Sequence, residues 1–266
     1  MAYIHPTAQV ASGAELAEDT IIGPYCVIGP EVRIGPGTIV YPHSVIEGRT
    51  VIGARNKIGP FASLGGSPQH LAYKDEPTSL IIGDENILRE YVSVHRGTIL
   101  DQGKTQIGNR CYLMAYTHVG HDCVLEDEVI LTNATQLGGH VRIGFGAVLG
   151  GGSFVHQFCR IGELAFVSGM TGVDKDVPPF LKVFGAPARI TGLNLVGLRR
   201  RKVPSQEIRT LSHALKIYLH QGTIKEITRE LQKKFGNSPL VSKFIHFLET
   251  PSQRGFVRRE KKDQAA

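Results

Sequence analysis

The sequence has no tryptophan, only four cysteines and no long uninterrupted apolar stretch. A membrane helix needs about 20 consecutive apolar residues, so a spanning segment is not expected. The N-terminus shows no basic patch, apolar run or small-residue cleavage site of a secretory leader. Cys26, Cys111, Cys123 and Cys159 lie far apart without a C-x-x-C pair, which argues against a zinc ribbon or a dithiol redox motif. A reducing cytoplasm is the simplest expectation. Aromatic residues make up 7% of the chain against 31 glycines, so turns are many and bulky core fillers few, a balance that suits a solenoid. The length of 266 residues allows one large domain, or one large and one small.

What is present is first a charge asymmetry. Residues 1–181 carry 12 basic and 18 acidic residues, while residues 182–266 carry 18 and 6. The basic C-terminal part can steer an acidic partner, and nucleic acid, an anionic membrane surface and an acidic carrier protein all qualify on charge alone.

Second is a repeat. Stepping by six from Ile4 meets an aliphatic residue each time to Leu64, again from Ile82 to Val94, and again from Ile107 to Val173, giving 26 hexads led by Ile, Leu or Val. Glycine recurs at the second hexad position (Gly23, Gly35, Gly53, Gly83, Gly108), where a tight corner is expected to need its freedom. The fifth position is small or β-branched and holds all four cysteines, which therefore read as small inward-facing hydrophobes. Six residues are too few for a helix, so each hexad reads as a short strand plus a corner. Each buried lead side chain contributes roughly 1.5–3 kcal/mol before ordering entropy is subtracted. The pattern is similar to the left-handed parallel β-helix of hexapeptide-repeat transferases, and from that likeness come both the hand and the closure of three hexads into one 18-residue coil. Loops interrupt the hexads at about 65–80 and 100–106, and loops on a rigid scaffold are where binding groups tend to sit.

After Pro178-Pro179 the period changes, dividing the chain into a β-helix over 1–181 and a helical domain with a basic tail over 182–266. Ile208, Leu211, Leu215 and Leu219 predict one helix between Pro204 and Gly222. Thr223-x-x-Glu226 is a capping box that predicts a second, ending near Gly236. Pro239 opens a third, to about Leu248. The run from Arg258 through Lys262 reads as a mobile tail.

With 18 residues per coil, His121, Gly139 and Gln157 stack on successive coils, with His140 beside them and His118 three residues earlier. A histidine there suits a general base, because its pKa lies near neutrality and a carboxylate such as Asp122 can fix its tautomer. The Gly139 amide is placed to donate to an oxyanion. Another reading of the same histidines is metal, with His118, His121 and His140 as three imidazole ligands. A third is a non-catalytic structural subunit.

The segments His118-Val-Gly-His121-Asp122-Cys123, Gly138-Gly-His140-Val141, Val155-His-Gln157-Phe-Cys159, Asp176-Val-Pro-Pro179 and Asn194-Leu-Val-Gly-Leu-Arg-Arg200-Arg201 resemble the UDP-N-acetylglucosamine O-acyltransferases, which open lipid A biosynthesis. So do Gly66-Ser-Pro-Gln69 with Glu76-Pro-Thr78, and His95-Arg-Gly-Thr98, and all fall in family order. The resemblance implies transfer of a 3-hydroxyacyl group from acyl carrier protein to the 3-position of UDP-N-acetylglucosamine or its 3-amino analogue, without cofactor or metal. It implies His121 as base, Asp122 as its orienting partner and the Gly139 amide as oxyanion donor. His118, His140, Gln157, Asn194 and Arg200 match positions that line the nucleotide-sugar site, and Gly169 matches the position that sets acyl length. It also implies a homotrimer with sites between neighbouring prisms, and an acidic carrier protein rather than nucleic acid as the partner of the basic domain. His70 and Ala72 depart from the pattern, standing where members often carry Asp and Lys. Another hexapeptide-repeat acyl- or acetyltransferase is the nearest alternative. The N-acylating relative normally has an extra N-terminal domain, whereas hexads here begin at Ile4.

Overall fold

The computed structural model describes residues 1–220 and 222–258, so the tail from Arg259 onward lies outside the described residues. Residues 3–184 form a three-sided left-handed parallel β-helix. Most hexads contribute a two-residue strand whose second member is the lead aliphatic, as in Ile21–Ile22 and His118–Val119. Strands a full coil apart pair in parallel, with Ile21 opposite Ile39 and Val119 opposite Leu137, a repeat of 18 residues. They build three sheets of eleven, nine and eight strands. The two excursions lengthen single coils: Ile52 pairs with Ile82, and Val94 with Val119.

Lead side chains from Ile22 to Val173 are buried in one continuous core, with the cysteines, Thr38, Ser44, Thr135 and their equivalents layered between them. Several fifth-position hydroxyls pair with backbone carbonyls, as Thr38 and Ser44 do by donating to Gly53 O and Gly59 O at 2.8 Å, whereas those of Thr117 and Ser153 are buried without a partner among the described residues. All four cysteines are buried and free, and burial pushes the Cys123 thiol up to about 12, which leaves it an inert filler. Ile4 departs from the expectation that every lead side chain is enclosed. It is 43% exposed because the first coil has no coil beneath it.

The corners also differ from the reading of their glycines. Most corners turn at the fourth residue of the hexad, which adopts a left-handed φ near +60° and is usually not glycine: Tyr25, His43, Phe61, Tyr91, Tyr116, Asp122 and His140 are examples. The second-position glycines have no such φ. They are required because backbones stack there without room for a side chain; a Cβ on Gly53 would lie 2.7 Å from Gly83 O. One consequence is an exposed ladder of stacked rings along the edge between the first and second sheets, Tyr25–His43–Phe61–Tyr91–Tyr116, with centroids 4.8–5.0 Å apart.

The first sheet continues past residue 181 through Leu181–Phe184 and closes with an antiparallel strand, Arg189–Leu193. Four helices follow: α1 (Leu195–Arg200), α2 (Ser205–Leu219), α3 (Ile224–Phe235) and α4 (Pro239–Glu249). The Thr223–Glu226 capping box is formed, and Pro239 occupies the first turn of α4. Helix α1 was not anticipated; its start is an Asn194 side chain that accepts from the Gly197 amide. The helices are tied to the prism through Arg160. Its guanidinium pairs with the fully buried Asp176 at 2.7 Å, lies over the Phe247 ring at 4.5 Å and donates to the Thr250 carbonyl.

Candidate functional site

The corner between the second and third sheets places His121, Gly139 and Gln157 one above another, as backbone bonds from His140 N to His121 O and from Phe158 N to Gly139 O record. His121 and Gln157, together with His70, Asp101, His140, Arg142, Phe158, Arg160, Pro251 and Gln253, line an open cleft of about 510 Å³.

Asp122 follows His121 and turns the corner at φ +61°, which swings its carboxylate back under the imidazole. His121 Nδ1 lies 2.8 Å from Asp122 Oδ2. The carboxylate is buried, and it accepts from the Thr98 amide and the Thr98 hydroxyl, each at 2.8 Å. The Asp122 amide in turn donates to Thr105 Oγ1. Burial alone would push this carboxyl up; hydrogen bonds from His121 and Thr98, with His140 nearby, outweigh it and hold the group below the usual carboxylate range. An ionised Asp122 accepts only, so Nδ1 of His121 carries the ring proton and Nε2 presents a lone pair.

Gly139 packs directly on that ring. A Cβ there would stand 2.6 Å from His121 Cε1 and 2.7 Å from Nε2, so only glycine fits. Its amide has no hydrogen-bond acceptor among the described residues and remains free to donate. His140 stacks on Phe158 at 4.4 Å, meets the His121 ring edge-on at 5.1 Å and approaches Asp101 at 3.4 Å. His118 lies on the strand before the corner, with Nδ1 2.8 Å from Ser93 Oγ. Burial, with His95 and His121 nearby, lowers it to about 4, so at neutral pH it is an uncharged hydrogen-bonding group.

The ligand atoms of His121, Asp122 and His140 lie within 4.8 Å of one another, the span of a metal site. This is not the three-histidine set read from the sequence: His118 stands outside it, bonded to Ser93. Asp122 also spends its oxygens on Thr98 and His121, an arrangement that serves a base at least as well as a cation.

Of the residues singled out by the sequence, His121, His140 and Gln157 line the cleft, Asp122 and Gly139 pack against the His121 ring, His118 stands on the strand before it, and Gly169, Asn194 and Arg200 lie elsewhere in the fold. Gly169 sits at a corner following the first sheet, on the edge that carries the aromatic ladder. Asn194 is buried at the top of α1, where Oδ1 accepts from Gly197 N and Nδ2 donates to Leu164 O at 2.9 Å. Arg200 is exposed in the last turn of that helix, while its neighbour Arg201 pairs with Glu128 and covers the Phe145 ring. Conversely, Thr105 and Asp101 act at the site without having been anticipated. Thr98 lies inside a family motif to which no role was attached, and the one loop that carries or adjoins all three groups was expected to hold binding groups without its residues being named.

Comparison with known proteins gives a consistent picture. A family profile described as "Udp N-acetylglucosamine O-acyltransferase; Domain 2" matches residues 176–257, and a bacterial transferase hexapeptide profile matches residues 31–66. The acyl-[acyl-carrier-protein]–UDP-N-acetylglucosamine O-acyltransferase of Thiobacillus denitrificans is 48% identical over 259 residues, covering 97% of this chain and 100% of that protein. Among solved structures, the UDP-N-acetylglucosamine O-acyltransferase of Moraxella catarrhalis superposes with a TM-score of 0.93 at 41% identity, over 96% of this chain and 99% of its own. The UDP-N-acetylglucosamine acyltransferase of Francisella novicida gives 0.94 at 36%, over 97% and 95%.

Proposed function

This chain belongs to the UDP-N-acetylglucosamine O-acyltransferase family, and from that premise we propose that it moves a 3-hydroxyacyl group from acyl carrier protein to the 3-hydroxyl of the glucosamine unit of UDP-N-acetylglucosamine, the opening step of lipid A biosynthesis. The observation that carries the mechanism is the His121–Asp122 pair with Gly139 against its ring. Nε2 of His121 takes the hydroxyl proton as the oxygen attacks the thioester carbon. The carbonyl oxygen becomes an oxyanion and accepts from the Gly139 amide. Collapse breaks the carbon–sulfur bond, and the imidazolium returns its proton to the departing carrier thiolate, leaving an ester and a free thiol. Asp122 supports the imidazolium while it exists.

The active assembly is a homotrimer in which a site draws on two chains. Supporting this, His121 stands on one prism edge while Gly169 stands on another, the edge that carries the exposed aromatic ladder three coils away, a surface that a second copy would cover. The basic helical domain receives the acidic carrier protein, and the cytoplasm is the compartment, in keeping with four unpaired thiols. Among the described residues no helix is long and apolar enough to cross a membrane.

The test is mass spectrometry of the product after incubation with carrier-bound acyl chains of graded length and either acceptor. A 3-O-acyl sugar nucleotide is expected. Product from the 3-amino acceptor alone would overturn the hydroxyl assignment, and no product from either would overturn the activity.

A further inference from the structure

The loop between Gly66 and Ser79 folds back over the catalytic corner and brings His70 to the wall of the cleft. Its ring meets that of His121 edge-on, with centroids 5.4 Å apart. Arg96 braces the loop by donating to Tyr73 Oη at 3.0 Å, to Gly65 O at 2.8 Å and to Ser67 Oγ at 3.1 Å. Within the loop, the Tyr73 amide donates to His70 O, and the His70 amide to Pro68 O.

The tautomer of His70 follows from its neighbours. The Ala72 backbone amide donates to His70 Nδ1 at 3.3 Å, and because an amide is only a donor, Nδ1 must be unprotonated. Neutral His70 therefore carries its hydrogen on Nε2, which has no partner among the described residues. The two facing imidazoles are opposites: His121 offers a lone pair at Nε2, and His70 offers an N–H.

We propose that His70 is a specificity-determining residue whose Nε2–H donates to the acceptor atom while His121 removes that atom's proton, so that a hydroxyl is selected over an amine. A hydroxyl oxygen has one hydrogen and two lone pairs. It gives the hydrogen to His121, receives the His70 N–H on one pair and attacks with the other. A neutral amine has a single lone pair, which the attack consumes, so the His70 donor is left unpaired in the cleft. A protonated amine has none. A site built to satisfy a substrate's hydrogen bonds rejects the analogue that leaves its own groups unpaired.

This assignment rests on the acyl transfer proposed above, and the experiment separates the two. The kcat/KM values for UDP-N-acetylglucosamine and its 3-amino analogue are measured for the wild type, His70→Ala and His70→Gln, with melting curves to establish equal folding. The wild type should favour the hydroxyl. His70→Ala should lower the hydroxyl-to-amine ratio by about tenfold, the worth of one hydrogen bond, mainly by slowing the hydroxyl substrate. His70→Gln, which keeps an N–H donor, should recover part of it. A role confined to loop packing would slow both acceptors equally, with no rescue by glutamine, and that result or a wild-type preference for the amine would overturn the proposal. A wild type inactive on both acceptors would instead remove the underlying activity, and the assignment with it.

Discussion

Replacing Asp122 by asparagine preserves volume and shape but changes what the imidazole above it can be. The carboxylate receives three hydrogen bonds at 2.8 Å, from Thr98 N, Thr98 Oγ1 and His121 Nδ1. An asparagine oriented to keep the Thr98 amide bond turns its NH2 toward His121. Nδ1 must then accept, the ring hydrogen moves to Nε2, and the lone pair facing the cleft is lost. Where a histidine base loses its carboxylate this way, kcat falls by about 10³–10⁴-fold, equivalent to roughly 4–5.5 kcal/mol of barrier. Stability should change less, since one charge-assisted bond worth about 1.5–3 kcal/mol is exchanged for relief from a buried charge. The assay is steady-state turnover of a carrier-bound acyl thioester at neutral pH, where Asp122 is ionised, alongside a thermal melt. An Asp122→Asn enzyme within tenfold of the wild-type kcat would refute the reasoning, because His121 would then work without the partner that sets its tautomer.

Gly139→Ala would place a methyl group within 2.7 Å of two His121 ring atoms, and the ring, held by Asp122, must tilt. A loss of about 100-fold in kcat with a nearly normal melt is expected, since displacements of about 1 Å cost that much. His118, lowered to about 4, stays neutral in the fold while the unfolded chain takes up a proton below pH 6.5. Stability should therefore fall as pH drops from 6.5 to 4, by up to about 3 kcal/mol, and denaturant titrations of His118→Gln should show a flatter slope across that window. Gly169→Met should shift the preferred acyl chain to a shorter length, read by competition among graded thioesters; an unchanged preference would remove Gly169 from the acyl site.

The prism was legible in the sequence because its physics is local and repeated: a lead aliphatic every sixth residue satisfies both strand and core, and the error at Ile4 is an end effect. The stacking of His121 on Gly139 followed from an 18-residue coil, a length supplied by the likeness to hexapeptide-repeat transferases and not by the six-residue period. The cause of the second-position glycines was misread, since the sequence displays a glycine but not whether φ or a neighbouring backbone demands it. The support beneath Asp122 was hidden for a different reason. Thr98 and Thr105 flank the loop at 99–104, and irregular backbone has no period from which the return of a side chain can be computed. Asn194 and Arg200 carry positions matched only by family likeness, and the fold sets them at α1, away from the cleft that holds His121.

The central claim is that an imidazole polarised by Asp122 performs the acyl transfer. It is tested most directly by single-turnover acyl transfer by His121→Ala, run beside the wild type with circular dichroism and sedimentation on both proteins. The account predicts a folded protein of unchanged assembly whose rate is lowered by at least about 1,000-fold. A correctly folded His121→Ala protein that acylates the sugar nucleotide at the wild-type rate would contradict it.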